Sequence, residues 1–155
     1  MKKHTLLLIV GLTLAGLTSS FAASPSMGTW KLNEKKSKLG TGGGKNSTVV
    51  YKSNLFGQVT VTVDGTDASG KPAHNEWTGK FDGKDYAVKG DPNFDMRAYK
   101  QVNDNTLDMT LKRGGKMVGM GRIVISADGK MRTVTTNATT AKGKKVHSVA
   151  VYDKA

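Results

Sequence analysis

From Thr29 to the end of the chain, apolar and polar residues alternate in short runs, and each run stops at glycine, asparagine or aspartate. That rhythm of two constrains the fold most, because it puts one face of every run in a core and the other in water. Ten such runs are expected as strands: Thr29–Asn33, Ser47–Ser53, Gln58–Thr66, Ala73–Phe81, Asp85–Lys89, Asp95–Val102, Thr106–Lys112, Lys116–Ser126, Met131–Thr139 and Lys145–Asp153. Turn signals such as Leu55-Phe56-Gly57, Ser69-Gly70, Asp82-Gly83, Gly114-Gly115 and Asp128-Gly129 separate them. Abundant Val and Thr and 19 glycines disfavour helices. The expected fold is all-β, an antiparallel up-and-down meander closed into a barrel of about 8–10 strands. Trp30, in Gly28-Thr29-Trp30-Lys31-Leu32, is expected to plug one end, with Gly28 admitting the backbone beside it.

Before that rhythm begins, Lys2-Lys3-His4 precede a short apolar run ending at Leu17, and Ser20-Phe21-Ala22 offers a small-residue cleavage site. This reads as a secretory signal peptide, residues 1–22, ahead of a single domain, residues 23–155. The run is shorter than the roughly 20 residues that span a bilayer, and nothing later is apolar for as long. The expected location is periplasmic or secreted. Cysteine is absent, which excludes disulfides, thiol chemistry and a lipidated cysteine. The net charge of +12 suits anionic partners such as an envelope surface. Spread over turns and alternate strand positions, it also serves solubility. The clusters Lys35-Lys36-Lys38 and Lys142-Lys144-Lys145 lack interleaved aromatics, so nucleic acid is not expected as a partner.

One internal repeat assigns faces. Thr60 to Asn75 (TVTVDGTDASGKPAHN) matches Thr133 to Ser148 (TVTTNATTAKGKKVHS) at eight of sixteen positions, 73 residues apart. Alternation points Val59, Val61, Val63, Ala73, Trp77 and Phe81 inward, with Val134, Ala138, Val146, Ser148, Ala150 and Tyr152 on the matching wall. Leu107, Met109 and Leu111 form another inward face. His74 and His147 then point outward. Lys116–Ser126 is apolar on both faces. Its Val118, Met120, Arg122 and Val124 are taken as the inward set.

The opening Gly28-Thr29-Trp30-Lys31-Leu32 resembles the first strand of the lipocalin and fatty-acid-binding-protein superfamily. The ending Val151-Tyr152-Asp153-Lys154-Ala155 is similar to the last strand of its fatty-acid-binding branch. The resemblance rests on about ten residues and implies a ligand-holding barrel. That branch carries a two-helix lid after its first strand. Here Glu34–Asn46, with four glycines, is a poor helix former, so no helical lid is expected. The branch also grips a carboxylate with Arg-x-Tyr on its last strand. Tyr152 matches the tyrosine, but Ala150 stands where the arginine would be. Gly115-Lys116 followed by Arg122 is similar in spacing to the branch's second arginine.

Residues for other chemistries are sparse. His74, Glu76 and His147 are the one plausible metal set, and no ligand spacing supports it, so no metal or cofactor is expected. Gly40–Lys45 lacks the first glycine and the final Ser or Thr of a phosphate loop, and reads as a rim loop. No nucleophile elbow or acid–base pair occurs, so the chain is read as a non-enzyme. Arg122, with Arg132 as a second candidate, is read as an inward guanidinium that needs a partner. That partner is an anionic ligand, or Asp108, Asp95 or a tryptophan in a purely structural role. The function expected is that of a monomeric exported barrel holding a small hydrophobic or amphipathic molecule. Trp30, Trp77, Met109, Met120 and Tyr152 would line it, and Arg122 would meet an acidic head group. The alternative is an envelope structural or interaction protein with a packed barrel and a basic surface.

Overall fold

The structure, a computed structural model, describes residues 24–155. The expected leader and its cleavage site at Ala22/Ala23 lie outside the described residues. Ten strands run in chain order: β1 Gly28–Leu32, β2 Lys45–Ser53, β3 Val59–Thr66, β4 Pro72–Gly79, β5 Tyr86–Lys89, β6 Met96–Asn103, β7 Thr106–Arg113, β8 Lys116–Ile125, β9 Met131–Thr139 and β10 Lys145–Lys154. Each pairs antiparallel with its chain neighbour, and β1 also pairs with β10, so the sheet closes on itself. Every strand lies within two residues of its expected bounds. The turns that join them put glycine at positive φ, as at Gly70 and Gly143.

Closure gives the barrel two unlike ends. At the end where β1 starts, Trp30 is fully buried and its indole Nε1 donates to the Ser26 carbonyl at 2.9 Å. Residues 24–27 thus fold across that end and close it. Gly28 turns the chain in at φ +110°, beside the Lys154 side chain that lies over the Trp30 ring. The other end carries the longest connection. There a single 3-10 turn, Glu34–Lys36, is capped by the Asn33 side chain, and Lys38 then bridges to Val149. No helical lid forms. The glycine-rich stretch continues past Val146 along the rim, as expected of a rim loop.

The core follows the alternation. Val49, Tyr51, Val59, Val61, Val63, Trp77, Tyr99, Leu107, Ile123, Ile125 and Tyr152 are buried inside. Trp77 is the hub of an aromatic group, with Tyr99 at 4.8 Å, Tyr86 at 5.7 Å and Phe81 at 6.4 Å between ring centres. Such edge-on and stacked rings add to their area burial.

Strand β8 is where the expected faces are reversed. Its inward residues are Gly119, Gly121, Ile123 and Ile125, and Met120 and Arg122 are exposed. Two glycines on the inner face carry no side chain to announce it, so the methionine and valines of the outer face looked like the core. A register shift between Leu111 and Lys112, where Val118 is passed over, also removes Met117 from the inward row.

Candidate functional site

The interior is graded in side-chain size. Cross-strand pairing through β8, β9 and β10 sets up four inward rows. From the closed end they read Ile125–Arg132–Tyr152, Ile123–Val134–Ala150, Gly121–Thr136–Ser148 and Gly119–Ala138–Val146. The first row is fully buried. In the outer two rows Gly121, Thr136, Ala138, Val146 and Ser148 are only half-buried although they face inward. These two rows are less completely packed than the row at the closed end. Met109, also half-buried, lies opposite Gly121. A Cβ at position 121 would sit 2.9 Å from the Met109 methyl carbon, so the glycine leaves room for that side chain.

At the bottom of this wall stands Arg132, 4% exposed. Its Nη2 donates to the Tyr51 hydroxyl at 2.7 Å, and its guanidinium lies 4.8 Å from the Tyr51 ring centre and 5.2 Å from that of Tyr152. Its Nε and Nη1 are buried and find no acceptor among the described residues. No carboxylate among these residues forms an ion pair with it. Burial pushes the Tyr51 and Tyr152 phenols above their ordinary range even against the pull of Arg132, so both stay neutral and cannot supply the missing charge.

A second buried guanidinium, Arg97, is held differently. Its Nη2 donates to Asn75 Oδ1 at 3.2 Å and its Nη1 to the Tyr99 hydroxyl at 3.4 Å. Asn75 in turn donates to Asp91 Oδ2 at 3.4 Å. Burial raises the Asp91 carboxyl above its ordinary range, while Arg97 pulls it back. Arg97 thus has a carboxylate one amide away, and Arg132 has none.

The residues expected to form the site divide in two. Trp30, Trp77, Met109 and Tyr152 are brought together inside the barrel. Met120 and Arg122 are not. Arg122 forms a two-point ion pair with Asp108 across β7 and β8 on the outer face, with Nε to Oδ1 at 2.7 Å and Nη2 to Oδ2 at 3.0 Å. That guanidinium holds the Asp108 carboxyl below the usual carboxylate range. The structural partner considered for Arg122 is the one it has, and Arg122 does not face the interior as expected. Arg97, Tyr51, Asn75 and Tyr99 were not expected at the site. Parity was the available signal, since Arg97 and Tyr99 face opposite to the outward Met96 and Lys100. His74 and His147 are exposed as expected, donating or accepting across their hairpins with Asp64 at 2.6 Å and Asn137 at 2.8 Å. Among the described residues no group of three His, Cys, Asp or Glu could hold a metal.

No protein-family model matches the chain, and no curated protein matches it. Among solved structures it is similar to EF1p2_mFAP2b bound to DFHBI, with a TM-score of 0.51 at 12% identity, over 86% of this chain and 97% of that one. A redesigned beta barrel, mFAP1, bound to DFHBI, gives a TM-score of 0.43 at 15% identity, over 84% of this chain and 95% of that one. Likeness at this identity concerns the fold, a closed antiparallel β-barrel.

Proposed function

We propose that the chain is an exported, non-enzymatic barrel of the lipocalin and fatty-acid-binding kind, whose interior takes a small amphipathic acid. The observation that carries this reading is Arg132, a buried guanidinium whose Nε and Nη1 are unpaired, at the foot of a wall whose outer rows are small and only half-buried. An uncompensated buried charge is costly, and an anion delivered from the open end satisfies it. The acid head would meet Arg132 and the Tyr51 hydroxyl. Its apolar tail would lie over Val134, Ala150 and Met109 toward the rim, where the rows of small residues leave it space. The likeness to mFAP2b, a barrel bound to the small molecule DFHBI, supports a ligand inside this architecture. The fatty-acid-binding branch's Arg-x-Tyr lacks its arginine here, at Ala150, and Arg132 on β9, directly across from Tyr152 on β10, would take its part.

Titrating a medium-chain carboxylic acid and the alcohol of equal length into the parent protein and Arg132→Met tests this. A hydrogen bond to a charged group contributes about 1.5–3 kcal/mol, so the acid should weaken on the order of tenfold or more while the alcohol is unchanged. The ligand-free variant should melt no lower than the parent, because it removes a buried charge that no carboxylate offsets. Equal weakening of both ligands, a lower melting midpoint, or no binding of either by the parent defeats the reading.

A further inference from the structure

The largest apolar exposure among the described residues lies outside the barrel, at its closed end. Leu55 is 100% exposed and Phe56 82% exposed, side by side at the tip of the β2–β3 hairpin. The tip is not loose. Asn54 Oδ1 accepts from the backbone N–H of Phe56 and of Gln58, each at 3.0 Å, and Asn54 N donates to the Gln58 carbonyl at 2.9 Å. Gly57 completes the turn at φ +71° with open space around it. The chain therefore holds two large apolar side chains out in water on a built support.

On the hairpin itself the charge has one sign. No acidic residue occurs between Glu34 and Asp64. Exposed Lys52 sits on the hairpin itself. Exposed Lys80 follows Gly79, which pairs with Val59 at the hairpin's base, and Lys154 lies at the same closed end. The acids at that end sit on other strands and turns: Asp85 pairs with Lys112 and Asp153 with Lys36, while Asp82 and Asp128 keep their charge, held by hydroxyl and backbone N–H donors. Asp104 stands on the β6–β7 turn, across the barrel.

We propose that this hairpin tip docks the barrel on an anionic phospholipid surface, with Leu55 and Phe56 entering the headgroup layer and Lys52, Lys80 and Lys154 meeting the phosphates. Two side chains offer a few hundred Å² at most, on the scale of about 150–250 Å² for one aromatic, whereas stable protein interfaces bury about 1,200–2,000 Å². A bilayer demands no such complementary shape, and a short apolar wedge with flanking lysines suits its interface. Docking by the closed end leaves the open end facing water. The inference is independent of what the interior holds.

Co-sedimentation of the protein purified from its own host, with vesicles of equal phosphatidylglycerol and phosphatidylcholine and with phosphatidylcholine alone, provides the test. The parent should bind the anionic vesicles, and more weakly as salt rises. L55S/F56S should fold normally, since both side chains touch little, and should lose binding on the order of tenfold or more. K52Q/K80Q should bind less and respond less to salt. In F56W the new indole should shift its emission to the blue on adding anionic vesicles. The proposal is overturned if L55S/F56S sediments as the parent does, or if the parent stays in the supernatant or binds both vesicles alike. It is equally overturned if the tip substitutions abolish self-association of the parent instead, which would make the tip a contact between copies.

Discussion

The β3–β4 and β9–β10 hairpins share one turn chemistry, and they differ on their inner faces. Their turns and part of their outer faces match at a spacing of 73 residues, with Thr60, Thr62, Thr66 and His74 recurring as Thr133, Thr135, Thr139 and His147. Asp64 faces His74 as Asn137 faces His147. Asp67 N donates to the Lys71 carbonyl as Thr140 N does to that of Lys144, at 2.8 and 2.9 Å. Gly70 and Gly143 take nearly the same positive φ. The inner faces diverge. Val59, Val63, Asn75, Trp77 and Gly79 on one wall become Arg132, Thr136, Ser148, Ala150 and Tyr152 on the other. One wall holds a large side chain at its middle, Trp77, and packs shut. The other is trimmed at the middle and outer end and charged at the foot. Hairpin geometry is set by turn and outer face, so the inner face is free to specialise.

The filled wall should be the more sensitive to truncation. Trp77 is fully buried, packs against the rings of Tyr99, Tyr86 and Phe81, and donates from Nε1 to the Arg97 carbonyl at 2.8 Å. Trp77→Ala should cost about 3–5 kcal/mol in a denaturant melt. The counterpart position already holds Ala150 in a stable barrel, so the loss measures what Trp77 adds to its own wall. A loss below about 1 kcal/mol would mean that the two walls are packed alike and that the contrast drawn here is wrong.

The two walls were also unequally legible in the sequence. All ten strands could be read, because alternation survives wherever a strand has one wet face, and the repeat placed both histidines outside. The filled wall was read from its valines and Trp77. The trimmed wall was harder, since its signals are small residues and one arginine. On β8 the inner face at Gly119 and Gly121 has no side chains at all, so Met120 and Arg122 were placed inside in error. Asn75 and Arg97 are polar at inward positions, against the pattern that reveals a strand. Their partners come from β4, β6 and the loop at Asp91, which no local pattern joins.

The turns should part company in acid. Asp67 Oδ1 accepts from the Ser69 hydroxyl at 2.7 Å, the Ser69 N–H at 2.8 Å and the Lys71 N–H at 3.0 Å. The Ser69 hydroxyl first, then the backbone donors, holds the carboxyl below its ordinary range. At the matching place Thr140 Oγ1 accepts from the Lys144 N–H at 3.1 Å and carries no charge to lose. A carboxyl lowered in the fold gives stability that is complete above its unfolded pKa and lost as pH falls through its folded one. Below the usual carboxylate range, amide exchange at Ser69 and Lys71 should therefore speed up relative to Lys144, after correction for intrinsic rates. Asp67→Thr should make the β3–β4 turn as insensitive to acid as its twin. Parallel acid responses of the two turns in the parent would show that the Asp67 bonds do not hold the turn.

The smallest contrast is the cross-strand pair on the outer face. His74 and Asp64 are both more than half exposed, so their 2.6 Å contact is largely screened by water. His147 meets the neutral Asn137 amide in the same geometry. Replacing either histidine by alanine should change stability by no more than about 0.5 kcal/mol, the range usual for surface sites, and the double variant should be additive because the two pairs share no partner. Ligand titrations should be unaffected, since neither ring reaches the interior. A loss above 1 kcal/mol at His74 but not at His147, restored by no change at Asn137, would mean that the charged pair clamps the filled wall from outside. The hairpins would then differ in what their outer faces contribute to stability as well as in their inner faces.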